Sequence, residues 1–205
     1  VNVAGGRRRA APNFIDRETV IESALQVFAE KGFHGASMRG IAAVARTSQS
    51  NLYNYFDSKD GLLKFVLETT AREIAESLEA AERTADEDPA AQLEAAVAAY
   101  VRFVIEKPLA SMVGITEFRY LSGDDRTSVV VERDRTEAVF RRIVQAGIDA
   151  EAFNVLDVGF ATRAVVTLCN SMSSWYRPEG RLTADDIRVR QTDLALGLVR
   201  SARRG

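Results

Sequence analysis

Between Asp16 and Leu67 the helical pattern breaks three times, at Gly32, around residues 45–48 and before Ser58. No run alternates β-branched residues with polar ones, and no Asn-Gly hairpin turn is present. The chain must therefore begin as three short helices, with longer helices behind them. Asp16 is the N-cap of the first, in which Ile21, Leu25 and Phe28 form an apolar stripe flanked by Val20, Ala24 and Val27. Gly32 is placed to end it in a left-handed conformation. Ser37 caps a second helix carrying Met38, Ile41, Ala42 and Val44, and a third covers about residues 49–55. Ser58 and Asp60 open a long fourth helix with Leu62, Leu63, Val66, Leu67, Ile74 and Leu78 inside.

After the acidic connection "TADEDP", amphipathic segments cover about residues 89–106, 108–121, 125–148, 155–176 and 183–203. Thr183 caps the last, with Asp185 and Asp186 in its first turn, where the helix dipole favours them. The expected fold class is all-α with about nine helices. Two domains are expected, residues 14–74 and 75–205, with a helix-turn-helix motif at about 37–56.

Composition narrows the function. With 46% hydrophobic residues in a 205-residue chain, a core can form without a disulfide or structural metal. One cysteine, Cys169, and one histidine, His34, exclude a disulfide framework and argue against a metal site or a cofactor. Cys169 in "VVTLCNSM" reads as a packing residue. No apolar run approaches the roughly 20 residues needed to cross a bilayer, so no membrane partner and a cytoplasmic location are expected. Residues 1–60 carry a net charge of +2 and the remainder −4, with Arg7, Arg8 and Arg9 consecutive.

The stretch "RTSQSNLYNYFDSKDGL" carries the chemistry. Ile41, Ala42 and Ala45 suit a tightly crossed helix pair, and Leu52 and Phe56 give the third helix its buried side. That leaves Thr47, Ser48, Gln49, Ser50, Asn51, Tyr53, Asn54 and Tyr55 largely outside. Short hydroxyls and helix N-termini hold phosphate oxygens, and Gln or Asn pairs with adenine edges in the major groove. Lys59 adds a candidate phosphate contact. A Ser/Asn-rich helix alone is more often a bare polar surface. The helix lengths, the turn and Lys59 together favour double-stranded DNA.

Residues 17–67 resemble the DNA-binding domain of the TetR family of transcriptional regulators. The resemblance runs through "VFAEKGF", Ser37, Ile41-Ala42, Thr47-Ser48, Leu52 to Phe56, and Ser58 to Leu62. It implies that Ser37, Thr47, Ser48, Tyr53, Tyr55 and Lys59 hold phosphates, with Gln49, Ser50, Asn51 and Asn54 nearest the bases. Arg46 stands where the family usually has a turn glycine, and Ser50 replaces another common glycine. At a positive φ an arginine costs about 1 kcal/mol, which a phosphate contact by Arg46 would offset. The residue 7–9 arm then becomes a candidate minor-groove or phosphate contact.

The same resemblance implies a homodimer through the last two helices, with Val165, Leu168, Met172 and Trp175 on one and Ile187, Leu194, Leu198 and Val199 on the other. It also implies a small-molecule effector pocket among the middle helices, whose occupancy alters the separation of the DNA-reading domains. Expected lining residues are Tyr100, Phe103, Val104, Met112, Ile115 and Phe118, then Phe140, Val144, Phe160, Thr167, Asn170 and Ser171. The segment from residue 146 to 187 is similar to that of acyl-CoA-responsive members, with Glu151 where those relatives often carry glycine. Such a ligand needs arginines at the pocket mouth, for which Arg102, Arg119, Arg141, Arg142 and Arg177 are candidates. The expected function is a ligand-responsive repressor released from its operator by a small apolar or acyl-CoA-type effector. The alternatives are an enzyme, for which no catalytic constellation exists, and a helical adaptor, which leaves the polar face of the third helix unexplained.

Overall fold

The structure is a computed structural model and describes residues 15–177 and 179–200. The Arg7, Arg8 and Arg9 stretch lies outside the described residues. Among those described, nine α-helices and one short 3-10 turn make up the regular structure. Their contacts divide into two compact units, one up to Leu62 and one from Leu63.

In the first unit, α1 (Arg17–Gly35) starts at Asp16, whose carboxylate accepts the Thr19 N–H at 2.7 Å. Val20, Ala24, Val27 and Phe28 are buried, and Ile21 and Leu25 are half-buried beside them. Gly32 takes φ 65° as its position demands, yet the helical turn resumes as far as Gly35. The Ala36 N–H closes the end on the carbonyls of Gly32 and Phe33. Next, α2 (Met38–Val44) and α3 (Gln49–Tyr53) are capped by the hydroxyls of Ser37 and Ser48, which accept the N–H groups of Gly40 and Asn51. The turn between them folds back on α2, with the Thr47 N–H on the Ala42 carbonyl at 3.0 Å. Its left-handed residue is Arg46, at φ 52°. α4 (Lys59–Thr84) begins in this unit and continues into the second.

The second unit contains α5 (Pro89–Glu106), α6 (Pro108–Thr116), α7 (Gly123–Asp149), α8 (Val158–Trp175) and α9 (Ala184–Val199). Asp88, Asp157 and Thr183 cap α5, α8 and α9, the last in a reciprocal capping box with Asp186. The expected 108–121 segment is corrected. α6 stops at Thr116, and a 3-10 turn, Phe118–Tyr120, follows it. One core runs through Leu78, Leu93, Val104, Phe140, Val165 and Cys169 to Ile187 and Val199. Along the seam of α4 and α7, Glu79 pairs with Arg135, Glu82 with Arg142 and Glu132 with Arg72.

The loop after α7 is fixed by two positions. Glu151 is held at φ 58°, which explains glycine as the easier residue there. Phe153 then drops onto Gly147, and the Asn154 N–H ties the loop to the Val199 carbonyl at 2.8 Å. A Cβ on Gly147 would lie 1.9 Å from the Phe153 ring. Gly147→Ala is therefore expected to lower unfolding stability by ~1–3 kcal/mol. Glu151→Gly is expected to raise it by about 0.5 kcal/mol, since relief of left-handed strain exceeds glycine's entropy cost. Urea titration of both variants checks the opposite signs.

Candidate nucleic-acid interface and internal cavity

Leu52 is fully buried and Phe56 nearly so, which turns the opposite side of α3 to solvent. Ser48, Gln49, Ser50, Tyr53 and Asn54 are exposed there, with Thr47 and Asn51 half-buried at the edge. The face is internally ordered. The Asn51 amide donates to the Thr47 hydroxyl at 3.0 Å, and the Gln49 amide reaches the Tyr53 hydroxyl at 3.4 Å. Ser37 and Arg46 are exposed on the preceding elements.

Two residues read as phosphate contacts are also engaged within the unit. The Tyr55 hydroxyl donates to the Ile15 carbonyl at 2.7 Å. The Lys59 ammonium donates to the carbonyls of Phe33 and Ala36, at 2.6 and 2.9 Å, and stands 4.1 Å from the Phe33 ring centroid. The carbonyls at the end of α1 attract a cation. Lys59 fills that role.

In the second unit a cavity of about 290 Å³ opens among α4, α5, α6, α7 and α8. Of the residues expected at a pocket, Tyr100, Ile115 and Asn170 line this cavity, and the Tyr100 hydroxyl donates to the Asn170 side-chain carbonyl. Leu67, Thr70, Ala71 and Ile74 form the α4 wall. Burial holds the Tyr100 phenol well above its ordinary pKa, so it stays protonated and donates.

The other lining expectations are corrected. Phe103, Val104, Phe140 and Val144 belong to the closed core. Met112 and Phe118 are half-buried but outside the cavity wall. Phe160 is 77% exposed, and Thr167 and Ser171 also face solvent. The reason is helical phase. Val166, Asn170 and Ser173 form the cavity side of α8, and Thr167 and Ser171 sit one residue further round.

The arginine expectations fail for a related reason. Arg141 pairs with Glu137 at 2.6 Å, Arg142 with Glu82, and Arg177 donates to the Tyr176 carbonyl. Arg119 lies over Tyr120, and Arg102 is exposed. None of these five lines the cavity. The arginine that does is Arg133, whose guanidinium donates to the Gly114 carbonyl at 2.6 Å and lies 3.8 Å from the Phe118 ring centroid. Its sequence signal is a charge interrupting the buried stripe of Val129, Thr136, Phe140 and Ile143 on α7.

The outer faces of α8 and α9 divide the proposed dimer residues. Val165, Met172, Ile187 and Val199 are buried within the protomer, which removes them from any interface. Trp175, Leu194 and Leu198 are 46%, 55% and 41% exposed, and Leu168 is half-buried. Leu168, Leu194 and Leu198 also line a shallow groove there. Cys169 is buried in the core, and burial pushes its thiol pKa up to about 12. Among the described residues no cluster of His, Cys, Asp or Glu is placed to hold a metal. None of their helices is long and apolar enough to cross a membrane.

Comparison with known proteins adds to this geometry. Residues 20–66 match the family model for bacterial regulatory proteins of the tetR family. Residues 86–199 match the model for the tetracyclin repressor-like C-terminal domain. The HTH-type transcriptional repressor KstR2 of Rhodococcus jostii strain RHA1 is 25% identical, over 88% of this chain and 89% of its own. A solved tetR-family regulatory protein from Rhodococcus RHA1 superposes with a TM-score of 0.84 and 28% identity, covering 91% of this chain and 97% of that one. AibR, solved in complex with isovaleryl coenzyme A and operator DNA, shares the fold, with a TM-score of 0.78 at 18% identity, over 88% of this chain and 97% of that one. The two family models together span both units, and the chain belongs to the TetR family of helix-turn-helix, DNA-binding transcriptional regulators.

Proposed function

We propose that the protein is a homodimeric repressor that leaves its operator when a compact, largely apolar effector fills the cavity of the second unit. The observation that carries the DNA half of this reading is the segregation of α3. Its two apolar anchors are buried, and its amides, hydroxyls and Tyr53 are exposed together at a capped helix start. In this reading Gln49, Ser50, Asn51 and Asn54 read base edges, and Ser37, Arg46, Thr47, Ser48 and Tyr53 hold phosphates. Tyr55 and Lys59 support the recognition helix from inside the unit.

A single short helix reads only a few base pairs, so a twofold repeat is needed for useful specificity. Leu168, Trp175, Leu194 and Leu198 form the interface in this reading. Release requires that the effector bind the DNA-free form more tightly than the DNA-bound one. The similarity to a repressor supports the sign of regulation, and the acyl-CoA bound to AibR supports an acyl effector. A cavity of about 290 Å³ suits the acyl end of such a thioester.

Mobility shift on the DNA upstream of its own gene tests the reading, with salt-sensitive, sequence-selective binding as the expected result. Tyr53→Ala is expected to weaken specific and random duplexes alike, by about 1 kcal/mol. Gln49→Ala is expected to lose ~1–3 kcal/mol of discrimination at one base pair. Equal behaviour of the two variants would refute this division of roles. Introducing Leu194→Glu together with Leu198→Glu is expected to give a folded monomer by sedimentation velocity, with operator affinity reduced at least about 100-fold.

A further inference from the structure

The cavity wall contains a cation that lacks a counter-ion. On α7, Arg126 and Arg133 both lie against the ring of Phe118, with guanidinium carbons 4.2 and 3.8 Å from its centroid. Among the described residues neither has a carboxylate within ion-pair distance, although Arg72, Arg135, Arg141, Arg142 and Arg188 all do. Glu132, next to Arg133 in sequence, is committed to Arg72 and Arg135. Bringing two like charges to one ring, with Arg133 half-buried and Arg126 exposed, is unfavourable and is relieved by an anion. Burial, aided by the charge of Arg126, pushes the Arg133 pKa down.

A second, independent observation lies on α6. The Ser111 hydroxyl is buried, lines the same cavity and has no hydrogen-bond partner. Ser111 sits one turn before Gly114, whose carbonyl receives the Arg133 guanidinium, so both donors occupy one side of the cavity. Leu67, Ala71, Ile74, Ile115 and Val166 form the apolar part of the wall, beside Thr70, Tyr100, Thr136, Asn170 and Ser173. Two carboxylates also line it. Glu137 is paired with Arg141, and Asp134 is exposed. Their charge disfavours a polyanion and leaves the Arg133 end as the place for a single negative group.

We propose that this cavity binds a small free carboxylic acid, its carboxylate held by Arg133 and the Ser111 hydroxyl, with Arg126 supplying further positive charge and the apolar body against α4 and α8. The proposal rests on the ligand-responsive reading above and selects the free acid over its thioester.

The test uses the full chain with three matched series: benzoate, phenylacetate, 3-phenylpropionate and hexanoate, their methyl esters, and their coenzyme A thioesters. Thermal shift and calorimetry read binding, and mobility shift reads release from DNA. At least one acid is expected to raise the melting temperature and release DNA, with its methyl ester inactive at the same concentration. Arg133→Gln is expected to weaken that acid at least tenfold, Ser111→Ala about threefold, with helical circular dichroism and DNA binding retained. Esters or thioesters acting where the acids do not, or unchanged acid affinity in Arg133→Gln, would overturn the carboxylate assignment alone. Silence of all three series would overturn the effector reading with it. If Arg133→Gln fails to fold, the acid-against-ester comparison on the unmodified protein still decides.

Discussion

A helix of five residues does not hold itself together in water, because its few hydrogen bonds cannot repay the cost of nucleation. α3 exists because Leu52 and Phe56 are buried in the first unit and because the Ser48 hydroxyl satisfies its first turn. The same burial decides which residues face outward, so stability and recognition are set by one packing contact. Lys59 extends the arrangement. Its ammonium closes the carbonyl end of α1 and fixes the start of α4 against it.

Much of this was legible in the sequence. Cap residues are local, and Asp16, Ser37 and Thr183 cap the helices they were expected to start. The resemblance pointed to a positive φ at Arg46, and at Glu151 it marked only a replaced glycine, whose φ of 58° the structure supplies. What escaped is whatever depends on phase between helices. Apolar residues such as Val165 and Met172 carry no mark that separates core from interface, and only the packing of α8 resolves them. The cavity was misplaced for the same reason. Aromatic residues were expected to line it, whereas Phe103 and Phe140 fill the core and smaller side chains leave the space. Lys59 shows the complementary difficulty: a cation near a helix start suits a phosphate and a neighbouring helix end equally well.

Charge in the second unit is arranged by helix face. α7 turns Glu132, Arg135 and Arg142 to carboxylates and guanidiniums of α4 and holds Val129, Val139, Phe140 and Ile143 in the core. Half-exposed pairs of this kind contribute little individually, and their geometry fixes register more than it adds stability. The departure of Arg133 from that pattern is therefore informative, because Glu132 and Arg135 on the same stretch of α7 are both paired with α4.

Cys169 gives the molecule a property separate from regulation. It is the sole thiol of the chain, it faces the core of the second unit, and burial keeps it protonated. Only a thiolate in contact with solvent reacts readily with oxidants or alkylating reagents. The closed protein is thus inert to them, and chemical modification must wait for the helices around α8 to part. Its labelling rate is a built-in clock for the opening of that unit, and oxidation of this thiol falls on molecules that have already begun to unfold.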